Sequence, residues 1–138
     1  MIRRASLDEL PILQEIRRVV FIEGQDVPEA EERDDKDHDA LHFIAFEDDT
    51  PVGTARILLS DGIGKIGRVA VLAEYRSQGI GTQLMQVVLH DLRANKATEA
   101  RLGAQTHALG FYEALGFGAY GPEFLDAGIP HRSMALKL

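Results

Sequence analysis

The strongest constraint on the fold lies between Gly67 and Thr82. There the run Gly67-Arg68-Val69-Ala70-Val71-Leu72 passes through a loop into a segment where Leu84, Met85, Val88, Leu89 and Leu92 recur three and four residues apart. A β-branched apolar run followed by that spacing reads as strand, loop, amphipathic helix. Gly79 and Gly81 therefore stand at the mouth of a helix. Glycine lets backbone approach a ligand closely, and the unpaired N–H groups of a first helical turn are donors for an anion. The spacing is not the dinucleotide fingerprint, which needs a third glycine where Leu84 stands, nor the P-loop, which needs Gly-Lys-Ser/Thr. What remains is Arg-x-x-Gly-x-Gly from Arg76 to Gly81, a phosphate cradle.

The rest of the chain can be placed around this unit. Ile2 to Ala5 reads as a strand, and Ser6 with Glu9 forms a capping box at the start of a helix. That helix carries Leu10, Leu13, Ile16, Val20 and Phe21 on its apolar face and ends near Glu23-Gly24. From Glu23 to Asp39 nine acidic residues face only Arg33 and Lys36, which predicts a solvated acidic connection with one helical turn after Pro28. A second reading makes it a lip that attracts a cationic amine. Leu41–Phe46, Val52–Ser60 and Lys65–Leu72, separated by turn residues, predict a three-stranded antiparallel meander. After a helix from Gly81 to Asn95, a strand from Ala100 to Ala104 closes a right-handed βαβ unit, whose ligand crevice lies at the carboxyl ends of its strands. A helix from Thr106 to Leu115 ends in Gly116. Phe117 starts another strand, Gly118, Gly121, Pro122, Gly128 and Pro130 interrupt the stretch after it, and His131–Leu138 is a last strand.

At 138 residues and 45% hydrophobic composition the chain suffices for one domain around a single core, residues 1–138. The absence of cysteine removes disulfides, thiolate metal sites and an acyl-cysteine intermediate. No apolar run approaches the roughly 18 residues of a membrane helix, and Met1–Ser6 is not followed by a signal-peptide core, so a soluble, cytoplasmic protein without a membrane partner is expected. A net charge of −7 disfavours nucleic acid. His38 and His42, four apart, would suit a metal only on a helix, and the strand reading of Leu41–Phe46 argues against that, so no metal is expected.

Val69-Ala70-Val71 followed by Tyr75-Arg76-x-x-Gly79-x-Gly81-Thr82 resembles the acyl-CoA signature of the GNAT superfamily of N-acetyltransferases. Phe111-Tyr112-Glu113-Ala114-Leu115-Gly116-Phe117 resembles its second motif. The loop after Gln25-Asp26-Val27-Pro28 and the segment Gly128–His131 are similar to a bacterial branch of predicted N-acyltransferases, so the resemblance covers nearly the whole chain. It implies an α/β fold, a twisted mixed sheet with flanking helices that splays beside the signature strand to admit CoA. It implies further that acetyl-CoA is the co-substrate, with its pyrophosphate on the amides of Ser77, Gln78, Gly79, Ile80, Gly81 and Thr82, Arg76 adding charge. Its pantetheine arm would pair with Val69, Ala70 and Val71, one N–H serving as an oxyanion device. Gln105 falls where an Asn of the family often contacts the cofactor, and Tyr112 matches the tyrosine that protonates the departing thiolate. A phenol with a reference pKa of about 10, against about 8.5 for a thiol, is protonated at pH 7 and can supply that proton.

The implied reaction is transfer of an acetyl group from acetyl-CoA to a primary amine by direct attack in a ternary complex. The acceptor is a small cationic amine or a protein lysine, and Ala100, where some protein N-terminal acetyltransferases carry a carboxylate, argues against a peptide N-terminus. Ala73, where many members carry proline, is a neutral departure. A lysine-like amine is neutral in only about one molecule in a few thousand at pH 7, so a base is needed, and Glu23, His42, His107 and His131 are its candidates. A second copy of the chain is a further candidate partner. The rival reading is a non-catalytic acyl-CoA-binding regulatory module, with a nucleotide-binding protein more distant.

Overall fold

A computed structural model describes all residues 1–138. Seven strands form one mixed sheet: β1 Ile2–Arg4, β2 Leu41–Glu47, β3 Thr50–Ser60, β4 Ile63–Val71, β5 Glu99–Gln105, β6 Gly118–Asp126 and β7 Ile129–Lys137, in spatial order β1-β2-β3-β4-β5-β7-β6. Helix α1 (Leu10–Arg17) packs on one face through Ile16, which with Val20 meets Ala70 of β4. Helix α3 (Ile80–Ala94) packs on the other, where Leu84, Met85, Val88 and Leu92 join Phe43, Ile57, Ile66, Leu102 and Met134 in the main core. Helices α2 (Glu29–Glu32) and α4 (Leu109–Ala114) are short. The antiparallel meander β2-β3-β4 and the parallel β4-α3-β5 unit stand as the hydrophobic pattern predicts.

The pattern misleads in three places. The first helix is not α-helical throughout: Arg18–Glu23 forms a π-helical turn before Gly24. The run Val19-Val20-Phe21-Ile22 is rich in β-branched side chains that crowd an α-helix, and the wider turn still seats Val20 against Ala70. The glycines and prolines after Phe117 do not break the chain up. β6 is nine residues long, absorbs Gly121 and Pro122 in a register shift between Tyr120 and Phe124, and turns into β7 through Ala127 and Gly128, both at positive φ.

The third correction is to the acidic segment: six of its nine acidic residues are exposed as expected, but Glu32, Asp34 and Asp37 turn inward. Glu32 and Asp37 are buried and Asp34 is partly so. The Arg17 guanidinium, 1% exposed, donates to Glu32 at 2.6 Å and to Asp37 at 2.9 Å. Arg56 on β3 bridges Asp34 at 2.8 Å and Asp37 at 3.1 Å, and Arg68 on β4 reaches Asp34 at 3.3 Å. Three arginines and three carboxylates thus bolt α1 and the acidic segment to the sheet. Burial works against the Asp34 carboxylate, but hydrogen bonds from Arg56 and the Lys36 amide, with the charges of Arg56 and Arg68, hold it at about 2.

Removing one member of such a network strands a charge in a site that water cannot reach. Arg17→Met is expected to cost about 3–5 kcal/mol in urea unfolding. The double replacement Arg17→Met with Glu32→Leu should cost less than the single one, because no unpaired Glu32 carboxylate remains.

Candidate functional site

Strands β4 and β5 are paired only over Ile63↔Glu99, Gly64↔Ala100 and Lys65↔Arg101. Beyond these positions they part, while β4 stays paired to β3 as far as Val71 and β5 stays paired to β7 as far as Gln105. The β5-facing edge of β4 through Val69, Ala70 and Val71 is therefore left without a strand partner. What turns β4 away is a bulge. The register with β3 shifts between Thr54 and Arg56, and Arg68 sits at φ +53°, a conformation that costs any side-chain-bearing residue steric energy. The guanidinium of Arg68 is held by the carbonyl oxygens of Glu31 and Glu32, at 3.2 and 3.1 Å, as well as by Asp34. Burial and the like charge of Arg56 lower its pKa. No residue type announced the bulge, because arginine is not a left-handed former; Gly67 beside it was the only hint.

A cleft of ≈ 840 Å³ runs through the parting, lined on one side by Gly67–Val71 and on the other by Leu102–Gln105. At its mouth the loop after β4 turns at Gly79, φ +81°, which is the N-cap of α3. The amides of Ser77, Gln78, Gly79, Ile80, Gly81 and Thr82 have no hydrogen-bond acceptor within the protein. The two glycines are there for different reasons. Gly79 is required by its backbone conformation, whereas a Cβ at Gly81 would meet only the Phe111 ring at 3.5 Å, an ordinary contact. The protein's own packing leaves residue 81 free to be larger, so close approach of a ligand is the remaining physical reason for a glycine. The Nε of Arg76 donates to the Val71 carbonyl at 2.8 Å, pinning the loop to the strand end and leaving its terminal nitrogens at the cleft.

Tyr112 lines the same cleft from α4. Its ring is half-buried, edge-on to Phe111 at 4.9 Å and to Phe117 at 6.0 Å. The helix that carries it ends in a Schellman motif, with Phe117 N–H donating to the Tyr112 carbonyl at 3.1 Å, Gly116 N–H to that of Glu113 at 3.0 Å, and Gly116 at φ +103°. The phenol hydroxyl bonds no protein group, and burial pushes its pKa up to about 12.

Gln105, at the end of β5, is spoken for on both sides: its amide donates to Gln25 at 2.8 Å and its oxygen accepts from His107 Nε2 at 2.6 Å. Of the candidate bases, Glu23 is exposed and paired with Arg18. His42 lies on β2 with its Nε2 on the Asp37 carbonyl at 2.8 Å and does not reach the cleft. His107 and His131 both line it.

A parted mixed sheet, a helix start with free amides near its mouth and a phenol in its wall are features that a protein transferring acyl groups from CoA to amines would use. The sequence profile described as an acetyltransferase (GNAT) domain matches residues 14–138, and the chain belongs to that family: it is an acyl-CoA-dependent N-acetyltransferase. It is 38% identical over 120 residues to the uncharacterized N-acetyltransferase YjcF of Bacillus subtilis, covering 86% of each chain. An acyl-CoA N-acyltransferase structure from Pseudomonas aeruginosa superposes with a TM-score of 0.85 at 32% identity, over 98% of this chain and 96% of that one. Escherichia coli ElaA superposes with a TM-score of 0.85 at 31% identity, over 98% and 99%.

The buried phenol gives a signed pH effect. An unfolded tyrosine ionises at about 10 while folded Tyr112 holds its proton to about 12, so the contribution is intact below 10 and is lost as pH rises through that window. Urea midpoints should fall between pH 10 and 12 in the wild type and fall less steeply in Tyr112→Phe.

Proposed function

We propose that the protein moves an acetyl group from acetyl-CoA directly to the primary amine of a small molecule or a lysine side chain, within a ternary complex. The observation that carries this reading is the coincidence of three features in and beside one cleft: an unpaired strand edge at Val69–Val71 and Tyr112 in its wall, and, in the loop that Arg76 joins to it, free amides from Ser77 to Thr82. The amides and Arg76 receive the pyrophosphate of acetyl-CoA, since the partial positive charge of a helix start favours an anion. The pantetheine arm adds to the β4 edge as a short strand, and a β4 N–H polarises the thioester carbonyl. Gln105 borders the arm from β5.

The amine lone pair attacks the carbonyl carbon, and the C–S bond breaks as the tetrahedral intermediate collapses. At about 12 the Tyr112 phenol is a weaker acid than a thiol, so its first contribution is a hydrogen bond to the developing thiolate. Full transfer of its proton to sulfur is uphill and is completed as the phenolate recovers a proton from solvent. The three inward-turned carboxylates weaken the field that the composition of the acidic segment suggests, so acceptor choice rests more on the cleft walls.

Against a non-catalytic binding module stands the accessible position of the phenol oxygen within the cleft, where packing alone asks nothing of a hydroxyl. Calorimetric titration with acetyl-CoA and measurement of thiol release with an amine panel test both readings. Gly81→Glu is expected to abolish CoA binding, and Tyr112→Phe to keep CoA affinity while turnover falls at least about tenfold. Unchanged turnover in Tyr112→Phe would take the phenol out of the mechanism.

A further inference from the structure

The amine must lose a proton before it attacks, and the side chains already assigned do not remove it. The carboxylates that line the cleft are poor bases for this purpose. Glu32 and Asp34 are bound to arginines, Asp126 lies at the hairpin end of β6, and Glu31 is exposed on α2. His131 differs from all of them. It is 8% exposed, lies directly opposite Gln105 in the β5–β7 register, and stacks on Phe124 with centroids 5.7 Å apart and planes 25° apart. Its Nδ1 is 2.6 Å from the carbonyl oxygen of Ile129. A carbonyl can only accept, so Nδ1 carries the proton and the lone pair stays on Nε2. Nε2 bonds no protein group and is not among the sealed, unpartnered atoms, so it opens to the cleft.

The face of the sheet matters as much as the tautomer. Met134 on β7 packs into the α3-side core, and strand alternation puts His131 and Ser133 on the opposite, α1-side face. Tyr112 packs against the α3-side core. The two groups therefore border the parting from opposite faces of the sheet, so a base and an acid can act on different substituents of one tetrahedral centre, the amine nitrogen and the sulfur. The charged groups sharing the His131 face on the adjoining strands are Glu99 and Arg101 on β5, paired with each other at 3.0 Å, and Asp126 on β6.

We infer that His131 is the general base that accepts the ammonium proton of the acceptor on Nε2, with the Ile129 carbonyl fixing its tautomer and Phe124 its ring plane. This rests on the acetyl-transfer reading above. The first proton moves from R–NH3⁺ to the imidazole and on to solvent, and the freed nitrogen forms the C–N bond. The tetrahedral intermediate then loses its second N–H proton to solvent as the C–S bond breaks, giving the amide and a thiolate that takes up a proton by way of Tyr112.

The test uses the full chain and compares thiol release from acetyl-CoA with two probe amines, strongly basic n-butylamine and weakly basic methoxyamine, which is already neutral at pH 7.5. His131→Ala is expected to slow the butylamine reaction about a hundredfold, the scale of lost base catalysis, while the methoxyamine reaction changes less than about threefold. Added imidazole should restore part of the butylamine rate. Equal losses for both amines with no imidazole rescue would mean a structural role and overturn the inference. Long-range proton–nitrogen spectra of the wild type give an acceptor-independent measurement: protonated Nδ1 with bare Nε2 is expected, and the opposite tautomer overturns it. Calorimetry separates the two levels. Loss of acetyl-CoA binding by the wild type would sink the transfer reading itself, whereas retained binding and turnover with an unaffected His131→Ala would sink only the base.

Discussion

Everything functional in this fold depends on two parallel strands that stop pairing. β4 and β5 share three residue pairs and then diverge, and each keeps its other neighbour, so the gap does not unravel the sheet. Parallel strands ordinarily bury their edges in each other, and an unsatisfied buried edge costs as much as its lost hydrogen bonds. The cleft is wide and open enough to let water reach that edge, and a ligand with amide groups of its own can replace the water. The same divergence sets the β4 carboxyl end, and hence the start of α3, at the cleft mouth. One break in pairing therefore supplies both an unpaired strand edge and, beyond its carboxyl end, a helix start with free amides.

The bulge that turns β4 is energetically unfavourable by itself, and the ion network offsets it. Arg68 adopts a left-handed backbone, and its side chain is fastened to α2 and to Asp34. Asp34 is shared with Arg56, Arg56 shares Asp37 with Arg17, and Arg17 holds Glu32. A buried ion network is weak as a source of net stability, because desolvation takes back most of the Coulomb gain. Its value here is geometric. The network has one arrangement in which every charge is met, and that arrangement fixes the bulge, the short helix α2 and the π-helical turn relative to one another. The wall that carries Phe21, Gln25 and Val27 into the cleft is held in place by it.

Local signals were readable and nonlocal ones were not. The strand–loop–helix unit, the meander and the glycine cradle come from periodicity and glycine placement, which depend on near neighbours alone. The turn at Asp61-Gly62 was legible because Asp-Gly favours positive φ at both positions, observed at +52° and +78°. The turn at Ala127-Gly128 has nearly the same geometry with an alanine in the strained place, and it was hidden for that reason. The pairing of Glu32, Asp34 and Asp37 with three arginines up to 34 positions away was beyond any window of sequence. A dense acidic run with two basic residues looks solvated when its partners lie elsewhere in the chain. His131 was visible as a candidate, but what separates it from His42 is which nitrogen its backbone partner occupies and which face of a strand it lies on.

Turning those carboxylates inward changes how the protein can choose an acceptor. A lip of free acidic side chains would collect cations of any shape, and salt would screen the attraction. With the three carboxylates matched by three arginines, little net field from them reaches the cleft. Beside Arg101 and Asp126, the face that carries His131 presents Phe21 and Val27 from the first helix and its loop, Tyr120 and Phe124 from β6, and the imidazole stacked on Phe124. Such a surface discriminates by fit and by desolvation. In the proposed reaction an amine that fills it would exclude water from the thioester and from Nε2 of His131. In the proposed mechanism charge acts chiefly on the CoA side of the sheet and fit chiefly on the acceptor side, so the two substrates would be recognised by different physics at the two ends of one gap.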